Sequence, residues 1–527
     1  MSSTLILVAS VLVACIIGDK ISSRIGVPTL FFFIALGMLF GSDGLFKIEF
    51  SSYRIAEVAC SSALIFIMFY GGFGTKWSIA KPVASKSILL STLGVLITAG
   101  LTGIFCHFVL GTSLIEGLLI GSVLGSTDAA SVFSILRSQR LNLKYGTASM
   151  LEIESGSNDP CAYMLTIILL SVLGGDLSVP NILYSIFAQL AYGIGIGIVL
   201  ALTAGWLLRH IHLNNEGLDS IFLVAVALAA YGLPSLIGGN GYLSTYIAGI
   251  LLGNQDIPGK RSLVNFFDAF NGMMQMFIFF LLGLLVFPSR LPQYFVPSLL
   301  IALFMAFVAR PLSIAILLTP FRAPFRQQLV LSWAGLRGAA SIVFAIMAAV
   351  SPNYGQDSIF QIVFCVVLLS ILFQGTLLPW VARRADMLDN RVNVLKTFND
   401  YSDETSIQFI RLDIPESHPW CNHYIRELNI VSGTLIAAIL RDDSVIMPKG
   451  DTLLQAGDQV ILGAKEYRGH DGIELRECHM EPGHRFIGRR LRDCDFKRAS
   501  LVVLVQRHGA DIIPDGETQI EEGDNLV

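Results

Sequence analysis

The sequence predicts an all-α polytopic membrane domain followed by small α/β lobes. Three observations support this fold class. Only 14% of the 527 residues are charged and 53% are hydrophobic, which is too apolar a composition for an ordinary soluble protein. The hydrophobic residues form runs of about twenty through the first three quarters of the chain, and they become sparse after Arg383 and Arg384. Short alternating segments with turn signals then predict strands.

The membrane domain is predicted to contain about thirteen helical spans. Basic residues gather in alternate connections, from Lys20 and Arg24 in the first to Arg322 and Arg326 in the eleventh. Cytoplasmic loops carry most basic residues, so this asymmetry predicts an odd number of spans, with the N-terminus outside and the tail in the cytoplasm. The first apolar run has no basic residue before it, which favours an uncleaved span over a secretory signal. The predicted spans are 3–18, 28–41, 57–72, 87–110, 114–136, 147–174, 181–208, 218–236, 242–254, 264–287, 295–319, 328–350 and 358–381.

Three carboxylates stand in the fifth and sixth predicted spans, at Asp128, Glu154 and Asp159. An ionised carboxylate at the middle of a membrane costs about 2.5 to 3.5 kcal/mol, so such residues usually face a pathway or a charged partner. On a helix, Glu154, Ser155 and Asp159 share one face, and Asn158 joins them. This face predicts an ion or proton site.

Two arginines also lie inside predicted spans, Arg310 in the eleventh and Arg337 in the twelfth. An unpaired guanidinium there would be as costly as an unpaired acid. We therefore expect Glu154 to pair with Arg337, which leaves Asp159 free to exchange its counter-ion.

Glycines interrupt the fifth and twelfth predicted spans at Gly125, Gly335 and Gly338. These spans occupy corresponding places if spans one to six and eight to thirteen form two halves of opposite topology. Broken helices at corresponding places of inverted repeats indicate the binding site of a secondary transporter. For any single glycine, close helix packing is the alternative explanation.

The tail is predicted to contain a connector, residues 386–405, and two copies of one α/β lobe, residues 406–467 and 472–527. Matching residues in the copies are offset by the same 66 positions, as in Arg441 and Arg507. The sequence ends inside the last predicted strand, so we expect the natural second lobe to extend further. Each copy should begin with a helical stretch, at residues 422–429 and 486–493.

Composition argues against several classes of function. Eight cysteines without a C-x-x-C pair predict neither a disulfide framework nor a zinc site. A net charge of -4 gives no reason to expect a nucleic-acid partner. The spans contain no nucleophile or metal constellation, so we do not expect an enzyme or a bound cofactor. Four tail residues could be considered as metal ligands, but their spacing matches no site that we can justify; they are His470, Cys478, His479 and His484.

Asp159 is the candidate exchange site. Burial in an apolar layer disfavours an ionised carboxylate, and either a proton or an arriving cation relieves that cost. The two therefore exclude one another, which makes exchange obligatory. If only Asp159 changes state, one cation trades for one proton and the exchange is electroneutral. Titration of Asp128 as well would make it electrogenic.

Four motifs together resemble the bacterial NhaP-type cation/proton antiporters, in the branch with an Asn-Asp pair at the site. The motifs are GSTDAASVFSIL, LEIESGSNDP, WAGLRGAAS and QGTLLPW, which begin at residues 125, 151, 333 and 374. The ESGSNDP form is most similar to potassium/proton antiporters, and the resemblance covers about residues 1–385.

The resemblance implies an NhaA-like antiporter fold in which Asp159 takes either a proton or a cation. It implies that four further residues complete the site: Asn158, Ser155, Thr127 and Asp128. Glu154 and Arg337 would form a structural ion pair. Hydroxyl, amide and carboxylate oxygens suit a hard monovalent cation, and potassium is favoured over sodium by the resemblance only.

The same resemblance implies a homodimer in the inner membrane of a bacterium, with a mobile core bundle that slides against a fixed dimerisation bundle. The tail is similar to TrkA-C lobes, the C-terminal lobes of modules that regulate potassium conductance. Similar lobes imply a regulatory nucleotide, such as a cyclic dinucleotide. However, no G-x-G-x-x-G motif precedes them, and plain dimerisation is the alternative role of the tail.

Two other classes of membrane protein remain as alternatives. A cation channel can also line its pore with acids, but it needs several sites along a continuous path. One cluster of exchangeable carboxylates beside broken helices favours a transporter instead. In a membrane sensor, the buried acids would have no purpose.

Overall fold

The computed structural model divides the chain into two compact units, Met1–Asp403 and Glu404–Val527. Most of the predicted connector, from residue 389 onward, lies outside the described residues, as do His470 and the final residue, Val527. The described residues are 9–18, 20, 28–139, 141–175, 178–210, 216–356, 358–388, 407–416, 418–428, 430, 434–441, 444–465, 478–480, 482, 484–494, 502, 505–507, 510–512 and 514–526.

The first unit is helical, and each predicted span overlaps a helix or a pair of helical parts. The apolar layer of a membrane contains no water that could form hydrogen bonds with the backbone. Long apolar runs therefore form helices, in which the backbone N–H and C=O groups bond to one another. The helices are α1 (Ala9–Gly18), α2 (Thr29–Phe40), α3 (Tyr53–Gly74), α4a (Trp77–Leu89), α4b (Val95–Leu110), α5a (Leu114–Val123), α5b (Ala129–Ser138), α6 (Thr147–Leu173), α7 (Val179–His210), α8 (Glu216–Leu236), α9 (Gly241–Gly253), α10 (Lys260–Leu285), α11a (Leu291–Phe304), α11b (Arg310–Leu318), α12a (Phe325–Trp333), α12b (Ala339–Val350), α13a (Ser358–Leu369) and α13b (Thr376–Arg384).

Eight helical stretches in the described part of the chain are long and apolar enough to cross a membrane. Five shorter apolar helices accompany them, namely α1, α2, α5a, α9 and α12b. The all-α membrane fold is therefore confirmed, whereas the number of thirteen crossings and the inverted repeat remain predictions.

The predicted interruptions are present in α5 and α12. The chain leaves the helix between Val123 and Ala129, and again between Trp333 and Ala339. Three other helices, α4, α11 and α13, continue through π-helical turns, at Leu90–Gly94, Met305–Ala309 and Ser370–Gly375. Such turns often occur at functional sites.

The helices form two groups by their packing. The α3 group contains α2, α3 and α7 to α10, and the α6 group contains α4 to α6 and α11 to α13. Within the α3 group, α3 and α9 cross so closely that a Cβ atom at Gly72 would lie 2.3 Å from the Tyr246 carbonyl oxygen. The two groups meet where α6 packs on α9 and where α12b packs on α3.

The described residues of the second unit form two antiparallel sheets of four strands each, in the orders β1-β4-β2-β3 and β5-β8-β6-β7. The identical order reflects the duplication that the sequence predicts. The strands are β1 (Ile407–Asp413), β2 (Thr434–Arg441), β3 (Ser444–Ile446), β4 (Gln459–Lys465), β5 (Cys478–His479), β6 (Val505–Arg507), β7 (Ala510–Ile512) and β8 (Asn525–Leu526).

The helical stretches predicted at 422–429 and 486–493 are wrong. The described residues there form single 3-10 turns, Ile425–Glu427 and Leu491–Asp493. Backbone N–H groups of these segments bond to a distant loop: Ile425 donates to the Thr452 carbonyl at 3.0 Å, and Leu491 donates to the Thr518 carbonyl at 2.9 Å. A donor used in this way cannot continue a helix, so the regular structure in the described part of each lobe is mainly sheet.

Each lobe contains the same buried ion pair. Arg441 Nε lies 2.6 Å from Asp458 Oδ1, and Arg507 Nε lies 2.8 Å from Asp524 Oδ1. Burial opposes ionisation of Asp458, but hydrogen bonds from Arg441 and the Gln455 N–H lower the pKa of this carboxyl overall. The aspartates are fully buried, so these pairs fix the loop before the last strand of each lobe.

Candidate functional site

Asp128 lies at the end of the break in α5 and caps the N-terminus of α5b. Its Oδ1 accepts a hydrogen bond of 3.3 Å from the Ser131 N–H, and its Oδ2 accepts one from the Ser131 hydroxyl. The carboxylate thus stands at the N-terminus of α5b, where the helix dipole favours negative charge. The Asp128 N–H donates to the Leu336 carbonyl at 2.8 Å, which joins the break in α5 to the break in α12.

Arg337 joins the two breaks from the other side. Its guanidinium donates to the carbonyls of Leu124 and Ser126, the latter at 3.0 Å. Its positive charge therefore stands at the C-terminus of α5a, where the dipole is negative. A Cβ atom at Gly338 would lie 2.5 Å from Asp128 Cβ, so only glycine permits this approach. The two broken helices are therefore complementary in charge and in shape.

Asp159 lies on α6, beside the break in α5, and only 5% of its surface is exposed. Its Oδ1 accepts a hydrogen bond from the Ser126 hydroxyl. Sequence reasoning did not select Ser126, although it directly precedes the selected Thr127. The signal that could have identified it is its position inside the predicted break, where side chains leave the helix pattern.

Asn158 and Ser155 hold α6 to the same break. Asn158 Nδ2 donates to Thr127 Oγ1 at 2.5 Å. The Ser155 hydroxyl donates to the Thr127 carbonyl at 2.8 Å and accepts from the Ala129 N–H at 2.9 Å. Asn158 Oδ1 is buried and finds no hydrogen-bond partner in the described chain. An unpartnered buried oxygen is costly, and it is a ready ligand for a dehydrated cation.

The predicted site residues therefore lie together at one place. Asp159 and Asn158 present oxygens from α6, and the polar residues of the α5 break face them. Asp128 and Ser155 also make the contacts that hold the break in shape. Their assignment as cation ligands remains a prediction.

The predicted ion pair between Glu154 and Arg337 is wrong, because Glu154 lies beside Arg310 instead. Glu154 Oε1 lies 2.5 Å from Arg310 Nη2, and the two side chains are 1% and 4% exposed. The atoms are close enough for an ion pair, although no hydrogen bond with good geometry joins them. Arg337 is occupied by the backbone carbonyls of α5, which explains why Arg310 takes the carboxylate.

The charges around the breaks do not balance. Two buried acids, Glu154 and Asp159, and the partly buried Asp128 face two buried arginines, Arg310 and Arg337. If all five are ionised, one negative charge remains. A proton or one monovalent cation at Asp159 would neutralise the set.

Sequence reasoning also missed Asn240, which precedes α9 and is 1% exposed. Its side chain donates to the Pro160 carbonyl of α6 at 2.8 Å. It lay between two predicted spans, so no periodicity placed it near Asp159. Only the packing of α9 on α6 brings it there.

Comparison with known proteins assigns both units. Residues 8–384 match the family model described as sodium/hydrogen exchanger, transmembrane. Residues 409–466 and 475–527 match the TrkA-C domain, which confirms the resemblance of the tail.

Several curated relatives align along most of the chain. One is "K(+)/H(+) antiporter NhaP2" of Shewanella sp. (strain MR-4), 36% identical over 460 residues, which cover 85% of this chain and 79% of the relative. Another is "K(+)/H(+) antiporter NhaP" of Alkalimonas amylolytica, 31% identical over 466 residues, which cover 88% and 81%. "Na(+)/H(+) antiporter 1" of Methanocaldococcus jannaschii is 30% identical over 352 residues, which cover 64% and 82%.

A solved structure shows the same fold. The sodium proton antiporter MjNhaP1 from Methanocaldococcus jannaschii, solved at pH 8, superposes with a TM-score of 0.62 at 26% identity, covering 71% of this chain and 99% of that chain. The family match over residues 8–384 and the relatives that align with most of the sequence lead to one conclusion: the chain belongs to the sodium/hydrogen exchanger family.

Proposed function

We propose that this cation/proton antiporter exchanges potassium for protons at Asp159. The observation that carries the proposal is the set of three acids and two arginines around the breaks, because these described residues lack one positive charge for balance. The names of the relatives at 31 to 36% identity support potassium. The Methanocaldococcus jannaschii relative supports sodium as the second candidate.

Charge balance couples the two ions. With a proton or a cation at Asp159, the set of five charges is neutral. With neither, the set carries a net negative charge, and moving an unbalanced charge through an apolar environment is costly. The empty carrier is therefore the species least able to move, so proton and cation have to alternate.

We infer that the exchange is electroneutral, with one cation for one proton. Both oxygens of Asp128 already accept hydrogen bonds at the N-terminus of α5b. In this conformation the donors favour the ionised form of Asp128. Asp159 then remains the single group that changes state.

We propose that the α6 group moves against the α3 group to expose Asp159 to each side in turn, as in an elevator mechanism. The division of the helices into two groups supports this, since Asp159 lies on α6 close to their boundary. We further propose a homodimer in a bacterial inner membrane, with the N-terminus outside and the lobes in the cytoplasm.

The exchange proposal can be tested in proteoliposomes that contain the purified full chain. A pH-sensitive dye should report proton efflux when potassium is added, a weaker response to sodium, and no dependence on membrane voltage. A response to sodium alone would favour the second candidate. Ion flux without proton counterflow, or current in a bilayer at channel rates, would contradict antiport.

We propose that the tail regulates exchange, with a nucleotide such as a cyclic dinucleotide as the class of ligand. The segment that leads to the tail supports coupling. Asp386, two residues after α13b, lies 3.2 Å from Lys144 Nζ and 2.8 Å from Arg326 Nη1. The Lys144 N–H also donates to the Met387 carbonyl at 2.9 Å. These contacts join the start of the connector to the entrances of α6 and α12a.

The regulatory role can be tested by truncation after about residue 400 and by Asp386→Asn. Hydrogen bonding by Lys144 lowers the pKa of Asp386, so its ion pairs are intact at neutral pH and are lost only in acid. Truncation should change the pH or ligand dependence of exchange, and Asp386→Asn should reproduce part of that change. Asp43→Asn, which removes an exposed carboxylate bound to Ser289, is the control. Loss of all exchange on truncation would instead indicate a role in assembly.

A further inference from the structure

We propose that Asn240 is a positioning residue that latches α9 to α6 beside Asp159 in the conformation of this structure. The inference rests on the proposed alternating access. Its first support is the hydrogen bond of 2.8 Å from Asn240 Nδ2 to the carbonyl oxygen of Pro160, the residue that follows Asp159. Asn240 is 1% exposed, so water does not compete for this bond.

The two ends of the Asn240 amide serve different helix groups. Its Oδ1 accepts from the Leu243 N–H at 3.0 Å and thereby caps the N-terminus of α9. Its backbone N–H donates to the Gln189 carbonyl of α7 at 3.2 Å. These two contacts lie within the α3 group, whereas Nδ2 reaches into the α6 group. One side chain therefore joins the two groups at the level of Asp159.

Two further contacts of α9 lie on the same face of α6. Gly156, Pro160 and Tyr163 are spaced at i, i+4 and i+7, which places them on one side of the helix. A Cβ atom at Gly156 would lie 2.6 Å from the Tyr246 ring. The Tyr163 and Tyr242 rings meet edge to face, with centroids 5.0 Å apart.

These contacts differ in how they respond to sliding. Ring contacts against Gly156 and Tyr163 are non-directional packing, which a displaced helix can replace with similar packing. The Asn240 hydrogen bond depends on distance and angle and is lost when α6 moves by one or two ångströms. A neutral hydrogen bond contributes modestly to stability, so the latch biases the equilibrium between conformations without blocking movement.

Removal of the latch should shift that equilibrium by about two- to tenfold away from the present conformation. The potassium site opens to one side of the membrane in each conformation. A shift of the equilibrium therefore raises the apparent potassium affinity on one side and lowers it on the other. The ratio of the half-saturating potassium concentrations on the two sides is therefore the quantity to measure.

The test compares Asn240→Ser with Asn240→Ala in everted and right-side-out vesicles that contain the full chain. Serine retains an N-cap acceptor for α9, but its shorter side chain does not reach Pro160. Both variants should change the ratio by about two- to tenfold, and only the alanine variant should reduce the amount of folded protein. Ser113→Ala, which removes the cap of α5a without a contact between the groups, is the matched control and should leave the ratio unchanged.

Folded Asn240→Ser protein with an unchanged ratio would overturn the proposal, and so would an equal change in Ser113→Ala. If the serine variant does not fold, Asn240→Asp supplies the test. It keeps the size and the cap acceptor but turns an acceptor toward the Pro160 carbonyl, so it should shift the ratio further. If all three variants fail to fold, Asn240 is purely structural and the proposal is overturned. If exchange persists with an unchanged ratio, the latch proposal fails while the proposed antiport stands. Failure of the latch is therefore distinguishable from failure of the proposed antiport.

Discussion

In the tail, the buried aspartates Asp458 and Asp524 each form an ion pair with an arginine. In the membrane unit, the acids around the breaks outnumber the arginines. In the tail, Asp458 accepts hydrogen bonds of 2.6 and 2.7 Å from Arg441, and Asp524 accepts two of 2.8 Å from Arg507. In the membrane unit, Asp159 accepts from the Ser126 hydroxyl, and no arginine or lysine of the described chain forms an ion pair with it. Complete pairing stabilises a fold, whereas the missing counter-charge leaves a role for a transported ion.

Glu154 shows that the membrane unit also contains structural pairing. It lies 2.5 Å from Arg310 and so resembles the paired aspartates of the tail. Asp159 differs, because it forms no ion pair with an arginine or lysine of the described chain. Two carboxylates five residues apart on one helix thus have different surroundings. Substitutions at the two positions test this difference.

The largest effect is expected for Asp159→Asn. The amide has no charge to neutralise, so neither a proton nor a cation changes the state of the site. Potassium-dependent proton movement in everted vesicles should be abolished while the protein remains folded. Ser126→Ala keeps the carboxylate and should retain exchange with an altered potassium affinity. Exchange retained in Asp159→Asn would remove this residue from its role and with it the contrast to the tail.

A smaller effect, on stability, is expected for the structural pair. Glu154→Gln and Arg310→Gln each leave one buried charge unpaired, which should lower the free energy of unfolding by about 3 to 5 kcal/mol. The double variant should recover part of this loss, as measured by thermal unfolding in detergent. A double-mutant cycle identifies the partner: coupling of Glu154 to Arg337, with none to Arg310, would contradict the pairing in the structure.

The smallest effect is expected for Asp458→Asn in the first lobe, because Arg441 is a quarter exposed and can regain water. The loss should be about 1 to 3 kcal/mol, detected as faster proteolysis of the tail, with exchange at Asp159 retained. The pKa of Asp458 is lowered in the folded lobe. Its stabilisation is therefore present above the ordinary carboxyl range and is lost as the pH falls through the lowered value. Asp524→Asn should destabilise the second lobe in the same way. A loss of exchange in either variant would contradict the view that these pairs only stabilise the lobes.

Features that depend on local sequence were predicted well. Runs of apolar residues gave the positions of the helices, and the glycines at Gly125 and Gly338 gave the two interruptions. Helical spacing predicted that Ser155, Asn158 and Asp159 share one face, whereas Thr127 and Asp128 were assigned to the site only through the resemblance to the antiporter family. These predictions succeed since apolar length, helical period and glycine act within a few residues of where they occur.

The failures concern partners that are distant in the sequence. The predicted helical stretches in the lobes are 3-10 turns instead, because their backbone donors bond to loops 27 residues away, as Ile425 does to Thr452. A linear sequence does not state which distant carbonyl will arrive at a given N–H group.

The order of the amino acids is enough to require buried acids and arginines in a membrane domain and a duplicated module after it. The partners follow from the fold: Arg310 lies beside Glu154, Arg337 binds the end of α5a, and Asn240 reaches α6. The physical reason is that the cost of burying a charge or a polar group is fixed by its chemical type. Which group offsets that cost depends on the packing of helices far apart in the chain.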